Sequence, residues 1–124
     1  MQLLHDTVTD QILRAAVTVH KGLGPGLTER SYQEAMAIEM TVLELSFERE
    51  PILSVRYRGA VVGQHRPDFI VEQLVVLELK SVGSLDPVFT SQVLTYLRVS
   101  GLRVGLLINF NVPTVGSGLK RIIL

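Results

Sequence analysis

The chain contains no cysteine. That excludes disulfides, thiol catalysis and cysteine-ligated zinc, and it fits a reducing cytoplasm. Neither sign of charge is in excess: twelve Lys and Arg stand against twelve Asp and Glu. A protein that grips nucleic acid through many phosphates usually carries a basic surplus, so the balance counts against tight nonspecific binding by a monomer. No run of about 18 uncharged apolar residues occurs, so no transmembrane helix is expected. The first residues carry Asp6 and Asp10 and lack the basic-then-apolar pattern of a secretory signal. There is no repeat, linker or low-complexity tract. His5 and His20 lie far apart, with no spacing that points to a metal. Gly22, Gly24 and Gly26 superficially resemble a phosphate loop, but the segment follows a helix and lacks the Gly-Lys-Ser/Thr ending, so it reads as a turn.

What is present fits one domain over residues 1–124 with one core. At 47% hydrophobic, the chain has enough apolar residues to cover both sides of a sheet. Val8, Ile12, Ala15, Ala16 and Val19 recur at helical spacing, which predicts a helix over 6–21, capped by Asp6 or Thr7 and stopped by Gly22. Thr28 caps a second helix to about Leu45, with Tyr32, Ala35, Met36, Met40 and Leu43 on or near one face. Residues 47–57, 60–71 and 74–80 read as three strands of an antiparallel meander. Asp86-Pro87 starts a third helix, closed by Gly101. The apolar run 102–110 is a strand covered on both faces, parallel to the third strand after a right-handed crossover. A loop over 111–118 leads to a last strand over 119–124. The order α-α-β-β-β-α-β-β gives an α/β fold with helices packed on a mixed sheet.

The stretch from Gln64 to Lys80 places acids among strand formers. Glu78 and Lys80 fall on one face of their strand, roughly 7 Å apart, while Leu77 and Leu79 point the other way. A carboxylate and an ammonium on a buried face cost free energy unless they are paired or bind something. Parity adds a condition. Asp68 reaches the Glu78 face only if paired residue numbers sum to an even value such as 146. A two-residue turn at Glu72-Gln73 would pair 71 with 74 and turn Asp68 away, so a three-residue or bulged connection is expected.

Pro67-Asp68 followed by Glu78-Leu79-Lys80 across a hairpin resembles the PD-(D/E)XK nuclease superfamily. Gly26-Leu27-Thr28-Glu29-Arg30-Ser31-Tyr32 fits the pattern of the GxxExxY protein family, a branch of that superfamily. The segments HKGLGPGLTERSYQEAMAIE, GQHRPDFIVEQLVVLELKSV and SQVLTYLRVSGLRVGLLINF resemble that family in order and spacing, over nearly the whole chain. The resemblance implies a restriction-endonuclease-like three-layer α/β/α sandwich and a metal-dependent phosphodiester hydrolase. Such hydrolysis needs a cation to polarise the phosphate and an activated water. Mg²⁺ (or Mn²⁺) takes oxygen ligands and keeps several waters. Asp68 and Glu78 would be ligands, with the Leu79 carbonyl a third, and Lys80 would orient the attacking water or offset developing charge. By resemblance, Glu29 adds a carboxylate from the second helix and Gln92, which shares a helix face with Tyr96, faces the site.

Each residue also has a plainer reading. Glu29 complements a helix dipole, Glu78 and Lys80 form a structural ion pair, Asp68 is a turn acid, and Tyr32 and Tyr96 are core residues with wet hydroxyls. His65 and Arg66 adjoin the site, where they either touch phosphate or end a solvated strand. Three functions follow: a nuclease acting on DNA or RNA, a catalytically silent nuclease-fold domain that binds nucleic acid or a protein, and a structural subunit buried by self-association. Sequence specificity in so short a chain would call for a partner or a C₂ homodimer. Arg58, Arg66, Lys80, Arg98, Arg103, Lys120 and Arg121 would support a nucleic-acid role if they gathered on one face.

Overall fold

A computed structural model describes residues 3–124. Its helices are α1 (Asp6–Leu23), α2 (Glu29–Val42) and α3 (Pro87–Ser100). Its strands are β1 (Phe47–Arg49), β2 (Leu53–Tyr57), β3 (Ala60–His65), β4 (Phe69–Val71), β5 (Val75–Lys80), β6 (Val104–Asn109) and β7 (Leu119–Ile123). Five strands form a mixed sheet in the order β1-β4-β5-β6-β7, and β2 and β3 form a separate two-stranded ribbon.

Strand alternation divides the core into two layers. Leu77 and Leu79 of β5, with Leu106 and Ile108 of β6, pack against Ile12, Ala16, Tyr32, Met36 and Met40 of α1 and α2. Val76 and Leu107 pack on the opposite face with Val93, Tyr96 and Leu97 of α3. Helices therefore cover both sheet faces, as the apolar composition and the continuous run in β6 require. The strand after α3 returns parallel to β5, Val75 pairing with Val104 and Lys80 with Asn109.

Helix signals were partly right. Thr28 Oγ1 accepts from the Ser31 amide, and Asp86 accepts from the Val88 amide with Pro87 in the first turn. Gly101, at φ 76°, ends α3 in the left-handed region that favours glycine. At α1 the expectation fails. His5, not Asp6 or Thr7, holds the cap position without a side-chain bond, and the helix runs through Gly22 to a cap at Gly24. The second helix stops at Val42 rather than near Leu45, and a short 3-10 helix, Val115–Gly118, occupies part of the expected loop.

The expected three-strand meander is also corrected. The strand expected over 47–57 breaks after Arg49, where Glu50 takes φ 50° and Pro51 follows. The strand expected over 60–71 breaks at residues 66–68, around Pro67. Proline cannot donate to a ladder, so each strand is cut in two and the halves join different sheets. β1 pairs antiparallel with β4, while β2 and β3 leave the main sheet as a hairpin.

The β4–β5 connection meets the parity condition. Phe69 pairs with Leu77, Ile70 with Val76 and Val71 with Val75, so every pair sums to 146. Glu72 and Gln73 both take positive φ, and the Leu74 amide donates to the Val71 carbonyl at 3.0 Å. Leu74 is the extra residue that shifts the register. The Glu72 carboxylate accepts from the Ser46 amide at 2.8 Å and from its hydroxyl, tying this turn to the segment before β1.

Candidate active site

Continuing the β4–β5 register by one pair sets Asp68 opposite Glu78. Alternation then puts Glu78 and Lys80 on the face that α3 covers, at the end of the sheet where β4 begins and β5 ends, and Asp68, just before β4, turns its carboxylate to the Leu79 amide and to Gln33 of α2. The Asp68 amide donates to Glu78 Oε1 at 3.0 Å, so a side chain replaces the next ladder bond. Asp68 Oδ2 accepts from the Leu79 amide at 2.7 Å. The N–H and C=O of one strand residue point to the same strand edge, so the Leu79 carbonyl also faces the β4 side.

Glu78 is only 7% exposed. Burial, and after it the neighbouring Asp68 charge, push its carboxyl up to about 8. Lys80 acts in the other direction, its Nζ 3.8 Å from Glu78 Oε2. That distance is an ion pair without a direct hydrogen bond. The ammonium also lies 4.5 Å from the Phe89 ring centroid of α3, a cation–π contact. Tyr96 is 8% exposed, and its hydroxyl is pushed up to about 12, by burial first and then by the Glu78 and Asp68 charges. Its ring meets that of His65 at 5.8 Å, which places His65 at the site's margin.

Two side chains that sequence reasoning passed over complete the arrangement. Gln33 is 4% exposed and donates to Asp68 Oδ1 at 2.8 Å. Its carbonyl oxygen accepts two bonds from Arg49, at 3.0 and 2.8 Å. Because the guanidinium only donates, it fixes which end of the Gln33 amide turns to Asp68. Arg49 is held by Glu34 at 2.6 Å, and Glu34 in turn by Arg30 at 3.2 Å. The sequence did carry one signal: Gln33 lies one turn after Glu29 and beside Tyr32, a polar residue next to the apolar stripe of α2.

Glu29 is exposed in the first turn of α2 and lines a pocket of about 180 Å³ with Arg30, Gln33, Glu50 and Asp68. The loop before it is tied down by Tyr32, whose buried hydroxyl donates to the Gly24 carbonyl at 2.6 Å and accepts from the Leu27 amide at 3.2 Å. That hydroxyl bonds to backbone and not to solvent. Gly26, at φ 95°, supplies the left-handed turn. Ser81 Oγ donates to the Leu27 carbonyl at 2.6 Å and joins the loop to the end of β5. Beside it, buried Asn109 accepts from the Val82 amide at 3.0 Å and donates to its carbonyl at 2.9 Å, fixing the chain just past Lys80. Gln92 is exposed on α3, one turn before Tyr96. His20 is buried, its Nε2 2.8 Å from the Val112 carbonyl.

Among the described residues, no three His, Cys, Asp or Glu side chains gather closely enough to hold a metal ion. A pair of carboxylates with a carbonyl does fit a hard cation that keeps part of its water shell. Each Asp68 oxygen accepts one bond and retains a lone pair, and Glu78 Oε2 has no hydrogen bond from Lys80. No helix is long and apolar enough to cross a membrane among the described residues. A family model described as the PD-(D/E)XK nuclease superfamily matches residues 6–122, from the first turn of α1 into β7. No curated protein and no solved structure gives a match.

Proposed function

The chain belongs to the PD-(D/E)XK nuclease superfamily, and from that premise we propose that it is a Mg²⁺-dependent (or Mn²⁺-dependent) phosphodiester hydrolase of the GxxExxY family acting on nucleic acid. The observation that carries the reading is the β4–β5 register, which puts both acids and the lysine at one end of the sheet. In this reading Asp68, Glu78 and the Leu79 carbonyl hold the cation. When bound, the cation polarises the scissile phosphate and offsets the charge that develops on it. Lys80 orients the attacking water, its ammonium steadied between Glu78 and the Phe89 ring. Glu29, on the wall of the same pocket as Asp68, adds negative charge on the α2 side. Gln92 contacts the substrate from the exposed face of α3.

The burial of Glu78 supports this assignment more than a structural ion pair does. A surface pair would leave both groups solvated, whereas here a carboxyl is kept in a setting that opposes its ionisation until a stronger positive charge arrives. The test is cleavage of single- and double-stranded DNA and RNA with Mg²⁺ or Mn²⁺. Asp68→Asn and Glu78→Gln are expected to abolish cleavage. Lys80→Ala is expected to lower kcat by about 10²–10⁴-fold, the span for a positioned proton-transfer group, with metal affinity within a few fold of wild type. Metal binding without cleavage of any substrate would favour the catalytically silent domain instead.

A further inference from the structure

The zero net charge hides a segregation. Residues 51–67, which contain the β2–β3 ribbon, hold Arg56, Arg58 and Arg66 and no Asp or Glu. Three of the twelve cations therefore lie here with none of the twelve acids, leaving nine cations against twelve acids elsewhere. All three arginines are exposed, and none makes a salt bridge among the described residues. Two of the other basic residues named from sequence lie elsewhere. Arg103 precedes β6 at the sheet end opposite Lys80, and Arg121 is turned to α1, where it donates to Thr9 at 3.2 Å.

The ribbon is separate from the main sheet yet rooted at the candidate site. Leu53 packs against the α3 layer, His65 meets Tyr96, and Arg66 is two residues from Asp68. From this root the pair runs out to a turn at Arg58 and Gly59, both at positive φ, with Tyr57 exposed beside it. The Arg58 guanidinium stacks 5.8 Å from the Tyr57 ring centroid. Val62 is the extra residue of a bulge, since Val55 pairs with Gly63 and Arg56 with Val61. Five residues of strand reach about 16 Å. Two strands about 5 Å apart fit the roughly 12 Å major groove of B-form DNA, which admits a β-ribbon. The deep, narrow major groove of duplex RNA does not.

We propose that the β2–β3 ribbon is a DNA-binding arm. It lies along the major groove of a B-form duplex, with Arg56, Arg58 and Arg66 on phosphates, and delivers the adjoining backbone to the Asp68–Glu78 end of the sheet. The proposal rests on the nuclease reading and extends it by naming duplex DNA as the substrate and the ribbon as the element that holds it. It also reconciles a neutral chain with a polyanionic substrate, because the cations are local to the arm.

The experiment is a salt titration, between 50 and 200 mM, of binding to a 25-base-pair DNA duplex without divalent metal, for wild type and the triple variant Arg56→Gln, Arg58→Gln, Arg66→Gln. Removing three phosphate contacts is expected to reduce the log–log salt slope by about 2.7, so wild type loses about 40-fold more affinity than the variant across that range. The control Arg103→Gln is expected to keep the wild-type slope, and melting temperatures check that both variants fold. Equal slopes for wild type and the triple variant would overturn the arm while metal-dependent cleavage, measured in parallel, left the nuclease reading intact. Cleavage confined to single strands or RNA would do the same. A concentration-dependent dimer that Val62→Asp dissolves, with the slope unchanged, would assign the ribbon to a second copy of this chain and overturn the proposal. A folded wild type that neither binds nor cuts any nucleic acid would remove the nuclease reading and the arm together.

Discussion

Glu78 is held near Asp68 and away from water, and both surroundings favour its protonated form, burial more than the neighbouring charge. In the unfolded chain it titrates near the ordinary glutamate value of 4.5, in the fold near 8. Its folded value is raised, so its contribution to stability is fully present below about 4.5 and is lost as pH rises through about 8. Metal-free Glu78→Gln is therefore expected to gain stability relative to wild type as pH goes from 5 to 9. Urea midpoints at both pH values in the presence of a chelator read the difference, and a gap that stays constant would contradict the raised titration. Gln33 acts on the other acid. Gln33→Ala leaves Asp68 Oδ1 without its donor and Arg49 without its acceptor. Groups that orient metal ligands typically carry about 10–100-fold in affinity, and that loss is expected in a calorimetric Mn²⁺ titration. Neither role was legible in the sequence. Glu78 was singled out by spacing, but its proton depends on how deeply α3 covers it. Gln33 reaches Asp68 across 35 residues of chain.

At the scale of elements, α3 determines how closed the site is, because Phe89 and Tyr96 come from it. Its approach to the sheet depends on Gly105 in β6. A Cβ built there would lie 2.5 Å from Val93 Cγ1, so α3 rests almost directly on the strand backbone. Gly105→Ala is expected to cost about 1–3 kcal/mol, the usual range for overpacking a filled core, seen as a lower denaturant midpoint. A neutral result would mean that α3 yields easily. Helix starts at Thr28 and Asp86 were legible because capping is local chemistry. The cap at His5 and the extension of α1 through Gly22 were not, since packing of the α1 stripe outweighs the cost of one helical glycine, about 1 kcal/mol. Pro51 and Pro67 stood in plain view, yet their effect was underestimated: each ends a strand, and the intervening hairpin leaves the sheet.

For the whole molecule, the proposed cation site links metal binding to folding, because the two acids come together only in the folded sheet. Divalent cation at 100 times its Kd is expected to raise stability by about 2.7 kcal/mol, a melting shift of roughly 10 °C for a domain of this size. Asp68→Asn should show no such shift. The shift should also grow from pH 6 to pH 8.5, as the proton that competes with the cation on Glu78 becomes easier to remove. Differential scanning calorimetry at both pH values measures it, and an identical shift in Asp68→Asn would place the cation elsewhere.

Some of this protein follows from the residues alone. Apolar spacing dictates three helices and a sheet covered on both sides, because burial of periodic apolar faces leaves few other solutions. Strand alternation, with the requirement that Asp68 reach the Glu78 face, calls for paired numbers with an even sum and so for a three-residue or bulged connection, and the structure supplies the three-residue form with every pair summing to 146. The tertiary structure decides what depends on distance and solvent: the arrival of Gln33 and Arg49 at Asp68, the proton on Glu78, and the departure of β2 and β3 from the main sheet. Each of these is set by what lies beside a residue in space. A neutral composition likewise says nothing of where its charges stand: Arg56 and Arg58 lie in the β2–β3 ribbon and Arg66 just past it, and none of the three makes a salt bridge among the described residues.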